Sequence, residues 1–80
     1  GAFKRLKLSG NNIRNLVELF VMTQLVDIQL DANRVVDSVP LASLPRLKQI
    51  NLFNNPLMQC NGLAKFRTDV QVTRPEHCPS

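Results

Sequence analysis

A 22-residue period constrains this chain more than any other feature. Residues 25–35 read Leu-Val-Asp-Ile-Gln-Leu-Asp-Ala-Asn-Arg-Val, with apolar side chains at Leu25, Ile28, Leu30 and Val35 and an Asn at position 33. A shift back by 22 finds the same template at Phe3, Leu6, Leu8, Asn11 and Ile13. A shift forward by 22 finds it at Leu47, Ile50, Leu52, Asn55 and Leu57. Two more columns recur, Leu19/Leu41/Leu63 and Met22/Leu44/Phe66, while a third slot holds Leu16, Ser38 and Cys60. Periods of this size mark architectures in which each copy is one structural unit that buries its apolar edge against the next.

Each copy carries its own folding instructions. The Ile28–Leu30 alternation sends both side chains to one face of a short strand. Val35, Leu41 and Leu44 are spaced as one side of an irregular or helical return segment. Stacked copies therefore predict a parallel sheet backed by a continuous core. In the second copy Ser38 replaces an aliphatic, and Val39-Pro40 is expected to take over the packing and re-route the chain. The Asn column (Asn11, Asn33, Asn55) has a separate cause. Where a strand turns a corner, backbone groups point inward without sheet partners, and a buried Asn can serve them with two donors and an acceptor. The alternative, Asn as a surface turn former, suits one copy better than three at equal spacing. The middle copy has a neighbour on both sides, so its core residues should be the most buried.

These positions resemble the leucine-rich repeat signature L-x-x-L-x-L-x-x-N-x-L, met by residues 25–35 and by both neighbours. The 22-residue length is similar to the short-repeat subclass. The resemblance implies an α/β leucine-rich repeat solenoid, a fragment of a right-handed superhelix. It would have a curved parallel sheet on its concave face and short helical or irregular convex segments. Three repeats (3–24, 25–46 and 47–68) occupy residues 1–59, the last merging into a capping segment at 60–80. That tail contains an amphipathic Leu63-Ala64-Lys65-Phe66-Arg67 and an alternating Val70-Gln71-Val72-Thr73. It resembles the cysteine-containing C-terminal caps of extracellular members, departing from their N-P-W-x-C-x-C opening in having Leu57 for Trp, Cys60 one place later, and two cysteines in all.

Cys60 and Cys78 allow one pairing. A bond between them would close a loop of about 18 residues, which contributes roughly 3 kcal/mol in the chain-entropy picture. The alternative is two reduced core thiols in a cytosolic protein. His77 and Glu76 lie beside Cys78, but paired metal-ligand spacing is absent, so neither a metal nor another cofactor is expected. Asp27 and Asp31 share one strand face, as exposed polar residues rather than an acid–base pair. Glycine-rich phosphate loops and nucleophile-elbow or H-E-x-x-H motifs do not occur, and no catalytic residue is assigned.

Function is expected on the outward strand positions, where three residues per copy form a grid: Arg5, Lys7, Ser9; Asp27, Gln29, Asp31; Gln49, Asn51, Phe53. Neighbouring strands lie about 4.8 Å apart, so Arg5 should face Asp27 in an exposed ion pair. Phe53 is read either as an interface anchor or as a residue in contact with the cap or simply exposed. The resemblance implies protein recognition through this face, in a secreted or cell-surface protein of receptor, adhesion or matrix type. A cytosolic adaptor or phosphatase-regulator scaffold is the other reading.

Ten Lys/Arg against six Asp/Glu give +4, but the charges interleave and Tyr and Trp are absent, so no nucleic-acid partner is expected. No apolar run approaches the roughly 18 residues of a membrane span. No N-x-S/T glycan acceptor occurs. The chain opens on Gly1 rather than Met, as in a processed or excised piece, and the first strand edge is expected to join further repeats or another chain.

Overall fold

The computed structural model describes residues 4–79. Phe3, the first template residue, lies outside them. Four three-residue strands follow one another: β1 (Arg5–Lys7), β2 (Asp27–Gln29), β3 (Gln49–Asn51) and β4 (Gln71–Thr73). They form one all-parallel sheet in the order β1-β2-β3-β4. The register repeats the sequence period: Leu6 pairs with Ile28, Ile28 with Ile50, and Ile50 with Val72. The tail read as a non-repeating cap thus contributes a fourth strand at the same offset.

Parallel neighbours require long crossovers, and short helical turns supply them here. A first 3₁₀ helix spans Val17–Val21, one α-turn (α1) spans Val39–Ala42, and a second 3₁₀ helix spans Cys60–Lys65. None is long enough to be stable alone. Pro40 falls in the first turn of α1, where its missing N–H has no intrahelical acceptor to lose. The α-turn packs beside both 3₁₀ helices, forming a second layer behind the sheet.

The core lies between these layers. Leu25, Ile28, Leu30, Val35 and Leu41 are fully buried and Leu44 is nearly so, as expected for the middle copy. Leu47, Ile50 and Leu52 match them, whereas Leu6, Leu8, Ile13, Leu19 and Met22 of the first copy are only partly covered. Two template expectations fail. Leu57 is 51% exposed, and the adjacent Met58 is buried in its place. The amide of Met58 bonds the Asn55 carbonyl (3.0 Å) in a turn around Pro56, and Gln59 then bonds Val36, an offset of 23. The chain bulges by one residue at this turn and has regained the 22-residue register by β4, where Val72 pairs with Ile50. Val39, expected to replace an aliphatic at 38, points outward at 42% exposure, and the slot is left to Ser38 itself. Ser38 stays fully buried with its hydroxyl unpartnered among the described residues.

The first three strands each leave the sheet through a left-handed residue, Gly10 (φ 71°), Ala32 (φ 57°) and Asn54 (φ 58°), again 22 apart. Gly and Asn enter this region cheaply, but for Ala it costs about 1 kcal/mol. That the chain tolerates Ala32 there shows how strongly the corner is imposed. The Asn column follows one residue later. Asn33 Nδ2 donates to the carbonyls of Leu8 (2.9 Å), Leu30 (3.0 Å) and Asp31 (3.2 Å), and its Oδ1 accepts from the amides of Asn11 (2.8 Å) and Ile13 (3.0 Å). Asn55 repeats this, donating to Leu30, Leu52 and Phe53 and accepting from Val35. Both side chains are buried and tie one copy to the one before it. Asn11 differs from expectation: it is exposed, and its side chain donates only within its own copy, to Leu8 and Ser9.

Cys60 and Cys78 form a disulfide, with Cα atoms 5.4 Å apart. It fastens the end of the chain to the second 3₁₀ helix. Arg67 adds a polar tie, donating to the carbonyls of Leu44 (3.1 Å) and Leu47 (2.8 Å).

This division of labour between the asparagines is testable by chemical denaturation. Asn33→Ala leaves several buried backbone groups unpaired and should cost about 2–4 kcal/mol, whereas Asn11→Ala should cost under about 1 kcal/mol. Equal losses at the two positions would remove the distinction.

Candidate protein-binding face

The strand positions flanking the central inward residue point away from the core, and the 22-residue register aligns them in rows across the sheet. One row runs Arg5, Asp27, Gln49, Gln71 and the next Lys7, Gln29, Asn51, Thr73. Ser9, Asp31 and Phe53 follow two residues later, where Gly10 and Ala32 still donate to the carbonyls of Asp31 and Phe53. All nine residues of the sequence-derived grid therefore share one face. Gln71 and Thr73 join them. The polar-apolar-polar pattern of 71–73 lies one period beyond 49–51 and could have revealed them.

Side chains on this face bond along the rows. Asp27 is the hub: Oδ2 accepts from Arg5 Nε (2.9 Å) and Gln49 Nε2 (2.8 Å), and Oδ1 accepts from Gln29 Nε2 (2.7 Å). Gln29 in turn accepts from Asn51 Nδ2 (3.2 Å), and Ser9 donates to Asp31 (2.6 Å). The Arg5–Asp27 pair was expected to be exposed at both ends. Arg5 is exposed, but Asp27 is only 7% accessible, because Arg5, Gln29 and Gln49 close over its carboxylate. Desolvation by burial pushes its pKa upward. The hydrogen bonds from Gln29 and Gln49, with the Arg5 charge, outweigh that and hold it below the ordinary aspartate value.

Two shallow depressions lie side by side here. One, of about 300 Å³, is lined by Gln29, Gln49, Ile50, Asn51, Gln71, Val72 and Thr73. The other, of about 290 Å³, is lined by Arg5, Lys7, Asp27, Gln29 and Gln49. Phe53 stands at the end of β3, 45% exposed, with its amide bonded to Asn51 Oδ1 (3.0 Å).

The remaining candidates resolve differently. Asp27 and Asp31 are each engaged by neighbours rather than by one another. Cys60, His77 and Cys78 do converge, their potential ligand atoms lying within 4.8 Å of one another. The sulfurs are bonded to each other, so no thiolate is left for a metal. His77 Nε2 lies 2.8 Å from the Met58 carbonyl, an acceptor, so this nitrogen carries the proton. Among the described residues no helix is long and apolar enough to cross a membrane. A scan against protein-family models, a search of curated proteins and a search of solved structures each find no match to the chain.

The Asp27 hub predicts an acid-dependent stability term. A carboxyl whose folded pKa lies below its unfolded value stabilises above the unfolded pKa, and that contribution is lost as pH falls through the folded one. Asp27→Asn should cost about 1–2 kcal/mol at neutral pH, since three donors would then face an amide. In urea titrations the gap from the parent should narrow as pH drops below about 4. A gap independent of pH would show that the charge at Asp27 contributes nothing.

Proposed function

We propose that this chain is part of a leucine-rich repeat recognition module that binds a protein partner through the outward face of its sheet. The observation carrying this reading is the ordered side-chain network centred on Asp27, which presents fixed amide and charged groups beside the exposed Phe53. Rotamers held by neighbours lose little entropy on binding, and an exposed aromatic at the rim supplies an apolar anchor. The family reading rests on the 22-residue template, the parallel register and the inter-copy bonds of Asn33 and Asn55. In that reading the four strands form the concave side of a solenoid, and the helical turns its convex side.

The proposed setting is extracellular, in a secreted or cell-surface protein of receptor, adhesion or matrix type. The disulfide supports it, because such bonds persist in oxidising compartments and are rare in the cytosol. A cytosolic adaptor would keep both cysteines reduced. The half-covered apolar residues of the first copy support further repeats or another chain at the β1 edge. No catalytic role is proposed.

A photoreactive residue introduced at Gln49 tests the sheet face directly. It should crosslink a discrete partner from extracellular or membrane fractions. Phe53→Ala should reduce that crosslinking by about tenfold, the size of effect typical of an anchor residue, with an unchanged melting temperature. Ser43→Ala, on the opposite side, should leave it intact. Crosslinking indifferent to Phe53→Ala would move the interface elsewhere, and a lowered melting temperature would make Phe53 structural.

A further inference from the structure

The disulfide end of the molecule gathers three metal-ligand atoms that the sheet face does not use. Cys60 Sγ, Cys78 Sγ and an imidazole nitrogen of His77 lie within 4.8 Å of one another. A tetrahedral zinc, with bonds of about 2.3 Å to sulfur and about 2.0–2.1 Å to nitrogen, spaces its ligand atoms roughly 3.5–3.8 Å apart. Three donors of the right chemistry thus already stand near one face of a tetrahedron. Only the sulfur–sulfur bond withholds them from a metal.

The fold brings these groups together from separate parts of the chain. Cys60 opens the second 3₁₀ helix, while His77 and Cys78 sit in a turn after β4, where the Cys78 amide bonds the Pro75 carbonyl (3.0 Å). The His77 carbonyl lies 3.9 Å from Cys60 Sγ. Other contacts hold this turn without the cysteines. Arg74 Nη1 donates to the Pro79 carbonyl (2.7 Å), Pro75 is fully buried, and His77 Nε2 donates to the Met58 carbonyl (2.8 Å). The three groups therefore remain neighbours when the sulfurs part.

The same bond sets His77 up as a ligand. With its proton on Nε2, the imidazole keeps the lone pair on Nδ1, and a metal-bound histidine usually donates its other ring N–H to a carbonyl in this way. Access is uneven at the sulfurs: Cys60 is half-buried and open to attack, whereas Cys78 is buried.

We propose that Cys60, His77 and Cys78 form a redox-gated zinc site, in which the metal replaces the disulfide as the tie between the segment after β4 and the third copy. A dithiol reductant supplies the two electrons. Its thiolate attacks the Cys60 sulfur, the S–S bond breaks, and the electron pair leaves on the Cys78 sulfur, which takes up a proton. The reductant's second thiolate then displaces Cys60 as a thiol and closes the reductant's own disulfide. Zn²⁺ binds both cysteines as thiolates, releasing two protons, with Nδ1 of His77 third and a water fourth. A disulfide suits an oxidising compartment and the metal a reducing one, so the tie persists in both. The site is separate from the sheet face, and either can fail without the other.

The test uses the whole chain, reduced with a phosphine and titrated with Co²⁺ and then with Zn²⁺. Cobalt should bind one to one, giving the near-ultraviolet charge-transfer band of thiolate ligation and the visible bands of a tetrahedral site, and zinc should displace it. The oxidised protein should show neither band. His77→Ala should weaken binding at least about tenfold, and His77→Cys, which restores a ligand, should recover it. Zinc should also raise the melting temperature of the reduced parent, since it binds the folded form. Reduced protein that takes up no cobalt would overturn the proposal, as would equal uptake by the His77→Ala variant, which would leave two thiols acting alone. A reduced chain that unfolds and is not refolded by zinc would overturn it too, as would a metal shared between two chains.

Discussion

The buried side-chain amides of Asn33 and Asn55 hold this fold together. A strand only three residues long forms few ladder bonds and must turn at once, leaving carbonyls of two neighbouring copies pointing inward. Asn33 satisfies those of Leu8 and Leu30 together while accepting amides from the first copy, and Asn55 does the same one period later. The cost of an unpaired buried backbone group, about 1–3 kcal/mol, explains why such a short residue can fix the spacing of whole copies. Leucine at the same place would fill the volume and strand the backbone.

Other features follow from that bridge. The corner it braces requires a left-handed residue just before it, met by Gly10, Ala32 and Asn54. The fixed corner aims the next side chains inward, where Val35 and Leu41 pack without exposure. It also sets the strand register, and the register lines up Arg5, Asp27, Gln49 and Gln71 on the outer face. The proposed recognition surface is thus a consequence of the same spacing that builds the core.

Most of the fold was legible because the period is carried by residue types whose physics is unambiguous. Inward leucines, a paired cysteine and a recurring Asn required no knowledge of the turns between them. What escaped detection depended on single-residue detail. The turn at Pro56 absorbs one residue, which a fixed template cannot register, so Leu57 and Met58 exchanged roles. Strand β4 keeps the register but loses the leucines on either side, with Asp69 and Arg74 standing where Leu47 and Leu52 predict apolar residues. The closure over Asp27 depends on side-chain conformations of Arg5, Gln29 and Gln49, which pairing rules place nearby without orienting them.

Native-state hydrogen exchange tests the asparagine bridge most directly. The Val35 amide bonds the side-chain oxygen of Asn55 and lies just outside any strand. If the bridge is structural, this amide should exchange as slowly as that of Leu30, which bonds the backbone of β3, through opening that approaches global unfolding. Exchange at the rate of an open loop would mean that the asparagines follow the fold rather than fix it.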